Sequence, residues 1–175
     1  MQIFDEKAEC SGCTACKHIC PVSEIEMVQD SEGFFYPEIN EDICIECKMC
    51  VEICPLKKAS HFTRDESPRC YAAVNRDDQQ RLQSSSGGIF TLLFNYILDQ
   101  RGLIVGALFD NPSKVIHTIT DEPKLLLQMR GSKYVQSDLL NIIKLIEDEL
   151  SQKKIILFTG TPCQTDGLQA YLQFK

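Results

Sequence analysis

Eight of the ten cysteines lie in two copies of the pattern C-x2-C-x2-C-x3-C-P, and the second copy follows the first by 34 positions. This spacing is typical of proteins that bind two 4Fe-4S clusters, in which the fourth cysteine of each copy binds the cluster of the other copy. We therefore predict two clusters with crossed ligands. The first cluster would be held by Cys10, Cys13, Cys16 and Cys54, and the second by Cys44, Cys47, Cys50 and Cys20.

Disulfides and structural zinc are the alternatives for so many cysteines. Disulfides require an oxidising compartment, and the N-terminus has no basic segment followed by an apolar stretch, so we expect a cytoplasmic protein. Zinc sites usually use two separated cysteine pairs, whereas each copy here places four cysteines within eleven residues and follows them with proline. The pattern favours iron–sulfur clusters.

The net charge of −7 is concentrated in the cysteine-rich part of the chain. Residues 1–62 carry 5 Lys or Arg and 12 Asp or Glu, whereas residues 63–175 carry 13 of each. This acidity argues against nucleic-acid binding and suits a basic redox partner protein, although a merely solvated acidic surface has the same composition. No apolar run reaches the length of a membrane-spanning helix.

The periodicity of apolar residues predicts an α+β protein with a small two-cluster ferredoxin-like domain and a second domain in which helices flank a mixed sheet. We place the first domain at 1–62, a linker at 63–69 and the second domain at 70–175. Asp30 to Gly33 would form the turn of a hairpin between the two cysteine loops. In the second domain, strands are expected at 70–75, 103–109, 115–120 and 155–158, and helices after 88, over 121–129, over 138–150 and from about 166.

Three stretches of the second domain have residues suited to chemistry. Ser84–Thr91 would begin a helix with open backbone N–H groups, which either bind an anion or merely cap the helix. Arg130–Ser137 is a small, polar, basic loop. Cys163 follows a buried strand, where open α/β sheets place ligands, but it is equally consistent with a small buried residue.

Taken together and in this order, Ser84–Thr91, Arg130–Ser137 and Gly160–Gln164 resemble motifs in the N-terminal part of the coenzyme F(420) hydrogenase/dehydrogenase beta-subunit family. The resemblance implies an iron–sulfur flavoprotein that binds FAD, and it implies that Cys163 binds a further cluster together with cysteines that lie downstream in the family. By the same resemblance, the FAD would be bound by Ser85, Ser86, Gly87, Gly88, Thr91, Arg130, Ser132, Lys133, Tyr134 and Ser137.

The chain departs from this family by stopping at Lys175, so we expect a truncated chain whose partner is a missing C-terminal segment or a separate redox protein. The leading hypothesis is an oxidoreductase component that passes electrons between two 4Fe-4S clusters and FAD, and on to a deazaflavin-like or other acceptor. The alternative is a ferredoxin-type electron carrier whose α/β segment is a docking module or a fragment without flavin. A third hypothesis is a cluster-stabilised interaction protein. No residue is nominated as a catalytic acid or base.

Overall fold

The computed structural model describes residues 3–57 and 69–175, and the predicted linker 63–69 lies outside them apart from its last residue. The described residues form two compact units. Residues 3–57 together with Gly160–Lys175 form the first, which we call the cluster unit, and residues 69–159 form the second, which we call the sheet unit.

The cluster unit contains two short helices, a hairpin and the C-terminal helix of the chain. The hairpin turn is confirmed: the Asp30 Oδ1 atom accepts hydrogen bonds from the backbone N–H groups of Glu32 and Phe34, and Gly33 has a φ of 92°. The elements are a 3-10 turn at Lys7–Glu9, α1 at Ala15–Ile19, β1 at Ile25–Gln29, β2 at Phe35–Ile39, α2 at Met49–Glu52 and α7 at Pro162–Phe174.

The two cysteine loops repeat the same backbone conformation. Gly12 and Glu46 occupy equivalent positions and have φ values of 66° and 52°. Thr14 and Lys48 are also equivalent, and both have a φ of 63° immediately before α1 and α2. Non-glycine residues rarely adopt positive φ. The 34-residue repeat in the sequence is therefore a repeat of the structure as well.

The sheet unit contains four helices and a four-stranded mixed sheet, so the predicted α+β class with a mixed sheet is confirmed. The elements are α3 at Asp78–Leu82, α4 at Ile89–Asp99, β3 at Leu103–Asn111, β4 at Lys114–Thr120, α5 at Pro123–Met129, β5 at Ser137–Asp138, α6 at Ile142–Ser151 and β6 at Ile156–Phe158. The strand order is β5-β4-β3-β6, in which β3 pairs antiparallel with β4 and parallel with β6. Helices α4 and α5 pack on β3, and α6 packs on β4.

The core of the sheet unit lies between the sheet and helices α4 and α5. Its fully or almost fully buried side chains include Phe94, Ile104, Leu126 and Met129. A buried histidine, His117, stacks on Phe158 and lies 3.0 Å from the Thr159 carbonyl oxygen through its Nε2 atom. Burial lowers the pKa of His117, and the hydrogen bond to Thr159 opposes that change.

Three sequence predictions differ from the structure. Residues 70–75 form no strand; the Asn75 N–H instead donates to the Gly87 carbonyl at 2.6 Å, which fixes the loop before α4. The last helix begins at Pro162 rather than near Asp166, because Pro162 occupies the first helical position, where a missing N–H costs nothing. The predicted second domain ran to 175, whereas Gly160–Lys175 packs in the cluster unit.

Over the described ranges, no helix combines the length and the apolar character that crossing a membrane requires.

Candidate iron–sulfur cluster sites

The structure brings Cys10, Cys13, Cys16 and Cys54 together around one pocket of the cluster unit. The pocket has about 380 Å³ of space free of protein atoms, part of which is open to solvent. Three of the cysteines come from the first loop and Cys54 comes from the end of the second. The remaining wall is largely apolar and includes Ile3, Phe4, Met27, Pro37 and Leu56.

A second pocket of about 320 Å³ is lined by Cys44, Cys47, Cys50 and Cys20. Here Cys20 is the contribution of the first loop. Apolar side chains again complete the wall, among them Val22, Ile25, Ile39 and Ile45. The eight cysteines are thus divided between two pockets in the crossed arrangement that the spacing indicates, and the hairpin β1–β2 contributes side chains to both.

Within 3–57 and 69–175, no three His, Cys, Asp or Glu side chains converge closely enough to surround a single metal ion. A 4Fe-4S cluster differs from a single ion because each of its four thiolates binds a different iron. The thiolates therefore surround a volume rather than a point, as the cysteines of each pocket do.

Burial raises the pKa of three thiols in the first pocket. It raises the pKa of Cys13 to about 11, although a backbone hydrogen bond from Ala15 opposes the change. Burial also raises the pKa of Cys10 and of Cys16. Thiolates at these positions therefore require a nearby positive charge, which iron supplies when it binds, since a coordinating thiol is deprotonated by its metal.

Two hydroxyl groups in the wall of the first pocket fit an iron–sulfur cluster. Ser11 Oγ and Thr14 Oγ1 are buried and have no hydrogen-bond partner within the described residues. A buried hydroxyl without a partner is costly and calls for an explanation. Cluster and thiolate sulfurs accept hydrogen bonds, so a cluster in this pocket would supply the missing acceptors. Sequence reasoning did not identify Ser11 or Thr14 as site residues. The available signal was the difference between the copies, since the second copy has Ile45 and Lys48, which carry no hydroxyl group, at the equivalent positions.

A fifth cysteine, Cys163, lies beside the first pocket. A charge on Cys163 would raise the pKa values of Cys10 and Cys13, although burial is the larger cause of both shifts. The Cys163 Sγ atom lies 3.1 Å from Thr161 Oγ1 at the start of α7. One turn later, Gly167 approaches the first loop so closely that a Cβ atom there would lie 2.9 Å from the Cys13 Cβ atom.

The residues expected to bind FAD lie in the sheet unit. Gly88, with a φ of 74°, is the N-cap residue of α4 and provides no side-chain cap. Arg130 donates to the Gln83 side chain at 3.0 Å and lies over the Phe94 ring. Arg130 Nε and Thr91 Oγ1 are buried without partners among the described residues. Ser85 and Ser86, which lie between Gln83 and Gly88 in the sequence, are exposed.

The loop after Arg130 is closed by hydrogen bonds from its own lysine side chain. The Lys133 Nζ atom donates to the carbonyl oxygens of Gln128, Arg130 and Gly131 at 2.8, 2.9 and 3.1 Å, so this ammonium group is used to close its own loop. Tyr134 is 96% exposed, and Ser132 is exposed as well. Ser137 begins β5 and pairs with Val115 of β4.

Comparison with known families agrees with this architecture. Residues 9–58 match the family described as a 4Fe-4S dicluster domain, and residues 70–144 match the coenzyme F(420) hydrogenase/dehydrogenase beta subunit, N-terminal domain. Both families are associated with electron transfer, and the chain is an iron–sulfur protein of that class. The greater part of the second domain thus resembles the coenzyme F(420) hydrogenase/dehydrogenase beta-subunit family, and the domain before it resembles a dicluster ferredoxin.

Individual relatives share either the whole chain or its first domain. An uncharacterized protein of Methanocaldococcus jannaschii is 25% identical over 199 residues, which cover 93% of this chain and 52% of that protein. NADH-quinone oxidoreductase subunit I of Pelobacter propionicus is 37% identical over 59 residues, covering 29% of this chain and 32% of the subunit. A 7Fe ferredoxin of Hydrogenibacillus schlegelii is 32% identical over 65 residues, covering 36% of this chain and 76% of the ferredoxin.

The chain spans about half the length of this Methanocaldococcus jannaschii protein.

Proposed function

We propose that this chain is the electron-transfer part of an iron–sulfur flavoprotein oxidoreductase, in which electrons pass between two 4Fe-4S clusters and FAD. The observation that supports the proposal most strongly is the division of eight cysteines between two pockets with exchanged fourth members. This exchange is the ligand arrangement of two-cluster ferredoxins. The final acceptor would be a deazaflavin or another two-electron carrier.

Under this proposal, Cys10, Cys13, Cys16 and Cys54 hold one cluster, and Cys44, Cys47, Cys50 and Cys20 hold the other. The clusters supply one-electron chemistry when bound. The protein supplies the thiolates, the apolar walls and the Ser11 and Thr14 hydroxyls, and these features set the reduction potentials through hydrogen bonding and solvent exclusion.

The flavin part of the proposal is supported by the start of α4 and by Arg130. The uncapped N–H groups after Gly88 favour an anion, and a guanidinium group nearby would bind the same pyrophosphate. The Arg130 guanidinium group donates to Gln83, which precedes α4 in the sequence, and lies over the ring of Phe94 within α4. When bound, FAD would connect one-electron transfer by the clusters to two-electron transfer with the acceptor.

A ferredoxin-type electron carrier without flavin is the second candidate. It is favoured by the Lys133 ammonium group, which is occupied by three backbone carbonyls of its own loop and leaves that loop with less charge to offer a phosphate. In this case residues 3–57 with α7 would carry the electrons, and the sheet unit would serve only for docking.

The two candidates are separated by reconstituting the chain anaerobically with iron and sulfide, adding FAD, and counting iron, sulfide and bound flavin. The flavoprotein predicts about eight irons and one FAD, and the carrier predicts about eight irons without FAD. Arg130→Gln should weaken FAD binding while the iron content stays unchanged. Arg76→Gln, which removes an exposed arginine elsewhere in the sheet unit, is the matched control.

The ligand assignment is tested with two cysteine variants. Cys54→Ala should lose the first cluster, and thus about half of the iron, although Cys54 lies in the second copy. Cys163→Ala should keep both clusters, because the first pocket has four other thiols. An iron content that falls in Cys163→Ala and not in Cys54→Ala would refute the assignment.

A further inference from the structure

The two cysteine loops share one backbone conformation but differ sharply in exposure. Thr14 is buried, whereas the equivalent Lys48 is exposed. Cys13 is partly buried, whereas the equivalent Cys47 is exposed. Since the backbone is repeated, the difference arises from the side chains and from what packs on each loop.

Helix α7 accounts for the burial of the first loop. It packs on α1 within the cluster unit, and Gly167 lets the two backbones approach at Cys13. The first loop is therefore partly covered by a helix. The loop of the second pocket presents its cysteine Cys47 to solvent.

Exposed apolar side chains flank that second loop. Ile43 is 49% exposed and Ile45 is 60% exposed, whereas the equivalent positions of the first copy are Glu9 and Ser11. Ile45 also lines the second pocket together with Cys44 and Cys47. The apolar surface is thus continuous with the wall of the second cluster site.

Acidic groups surround this apolar surface. Asp42 and Glu46 are exposed, and residues 41–52 contain four carboxylates and one lysine. An apolar centre with a charged rim is the usual organisation of a protein interface. Rim charge mainly raises the rate of encounter with a partner of opposite charge.

We propose that the surface formed by Asp42, Ile43, Ile45, Glu46 and Cys47, here named the second-cluster face, docks a redox protein that has a basic rim around its own cofactor. A single electron crosses this face between the partner's cofactor and the second cluster, with no bond made or broken. The first cluster, whose loop packs against α7, exchanges electrons with the second. The inference rests on the proposed electron-transfer function and adds the side from which the partner binds.

The test uses the full chain, reconstituted anaerobically, reduced with dithionite and freed of excess reductant. It is mixed by stopped flow with a ferric c-type cytochrome of basic surface, whose haem iron takes one electron from the protein. The second-order rate constant should fall as salt is added. Asp42→Lys combined with Glu46→Lys should lower the rate constant at low salt by roughly tenfold or more, and Ile43→Gln should lower it less and at all salt concentrations.

Matched controls lie elsewhere in the cluster unit. Glu6→Lys combined with Glu32→Lys changes the net charge by the same amount at two exposed positions outside the second-cluster face. Phe34→Gln removes an apolar side chain that is 50% exposed at the hairpin turn. Both controls should react with the cytochrome at a rate constant much closer to that of the unaltered chain than the face variants do.

A small neutral quinone serves as a second oxidant that needs no docking. The reduced clusters of each face variant should be oxidised by the quinone at an unchanged rate, which shows that its clusters are intact.

Equal cytochrome rates for face variants and controls would overturn the docking proposal while leaving the proposed function in place. Failure of the unaltered chain to react even with the quinone would overturn both. A dimer that Ile43→Gln converts to a monomer would show that a second copy covers the face, which also overturns the proposal.

Discussion

At the scale of single residues, the Thr14 hydroxyl distinguishes the first cluster site from the second. It is buried in the pocket wall without a partner within the described residues, and the equivalent residue of the second copy is an exposed lysine. If the hydroxyl donates to a cluster sulfur, it stabilises the more negative, reduced state. Thr14→Val, which keeps the shape and branching, should make one of the two midpoint potentials more negative by about 40 mV, the equivalent of a hydrogen bond of roughly 1 kcal/mol.

The two potentials are measured by a redox titration followed by electron paramagnetic resonance. Thr118→Val removes a threonine hydroxyl from β4 in the sheet unit and should leave both potentials unchanged. If Thr14→Val also leaves both unchanged, the hydroxyl is not a donor to the cluster.

The spacing of the cysteines was sufficient to predict which four would line each pocket, because two copies of this pattern are typical of clusters that exchange their fourth ligand. The roles of Ser11 and Thr14 were not predicted. Their residue types differ visibly from Ile45 and Lys48 in the second copy. However, whether a hydroxyl is buried and unpaired depends on packing by segments far away in the sequence.

At the scale of secondary structure elements, α7 is fixed to the first cysteine loop through Gly167. Alanine normally stabilises a helix interior relative to glycine by about 1 kcal/mol. Here its Cβ atom would lie 2.9 Å from Cys13 Cβ and 3.2 Å from the Cys13 carbonyl oxygen, and neither atom is the end of a flexible side chain. Overpacking costs about 1–3 kcal/mol, so we expect Gly167→Ala to destabilise the cluster unit despite its better helix propensity.

Thermal loss of the visible cluster absorption measures this effect, and Gly167→Ala should lower its midpoint. Gln169→Ala changes an exposed position of the same helix and should leave the midpoint nearly unchanged. A higher midpoint for Gly167→Ala would show that α7 does not press on the loop.

Elements with strong periodicity were predicted well, whereas those fixed by distant contacts were not. The hairpin turn at Asp30 and the strands β3 and β4 follow from local patterns. The stretch 70–75 is apolar enough for a strand but has no partner strand among the described residues, and its Asn75 instead binds the loop at Gly87. Helix α7 packs against a loop about 150 positions earlier in the chain, and no periodicity in the sequence reports such a contact.

At the scale of the whole molecule, the two units differ in what stabilises them. The core of the sheet unit consists of ordinary apolar side chains around Phe94, Ile104 and Leu126. The core of the cluster unit includes Cys16 and Cys50 beside Ile3 and Ile25. Two of the proposed cluster ligands are therefore also core residues, so we expect cluster binding and folding to be coupled in this unit.

Removal of both clusters with an iron chelator and an oxidant should consequently unfold the cluster unit and leave the sheet unit folded. Hydrogen exchange read by mass spectrometry tests this within one chain. Amides of α1 should lose their protection when the clusters are removed, while amides of β3, which pair with both β4 and β6, should keep theirs. Retained protection in α1 would show that the apolar contacts of Ile3 and Ile25 stabilise this unit on their own. Loss of protection in both α1 and β3 would show that the two units fold as one.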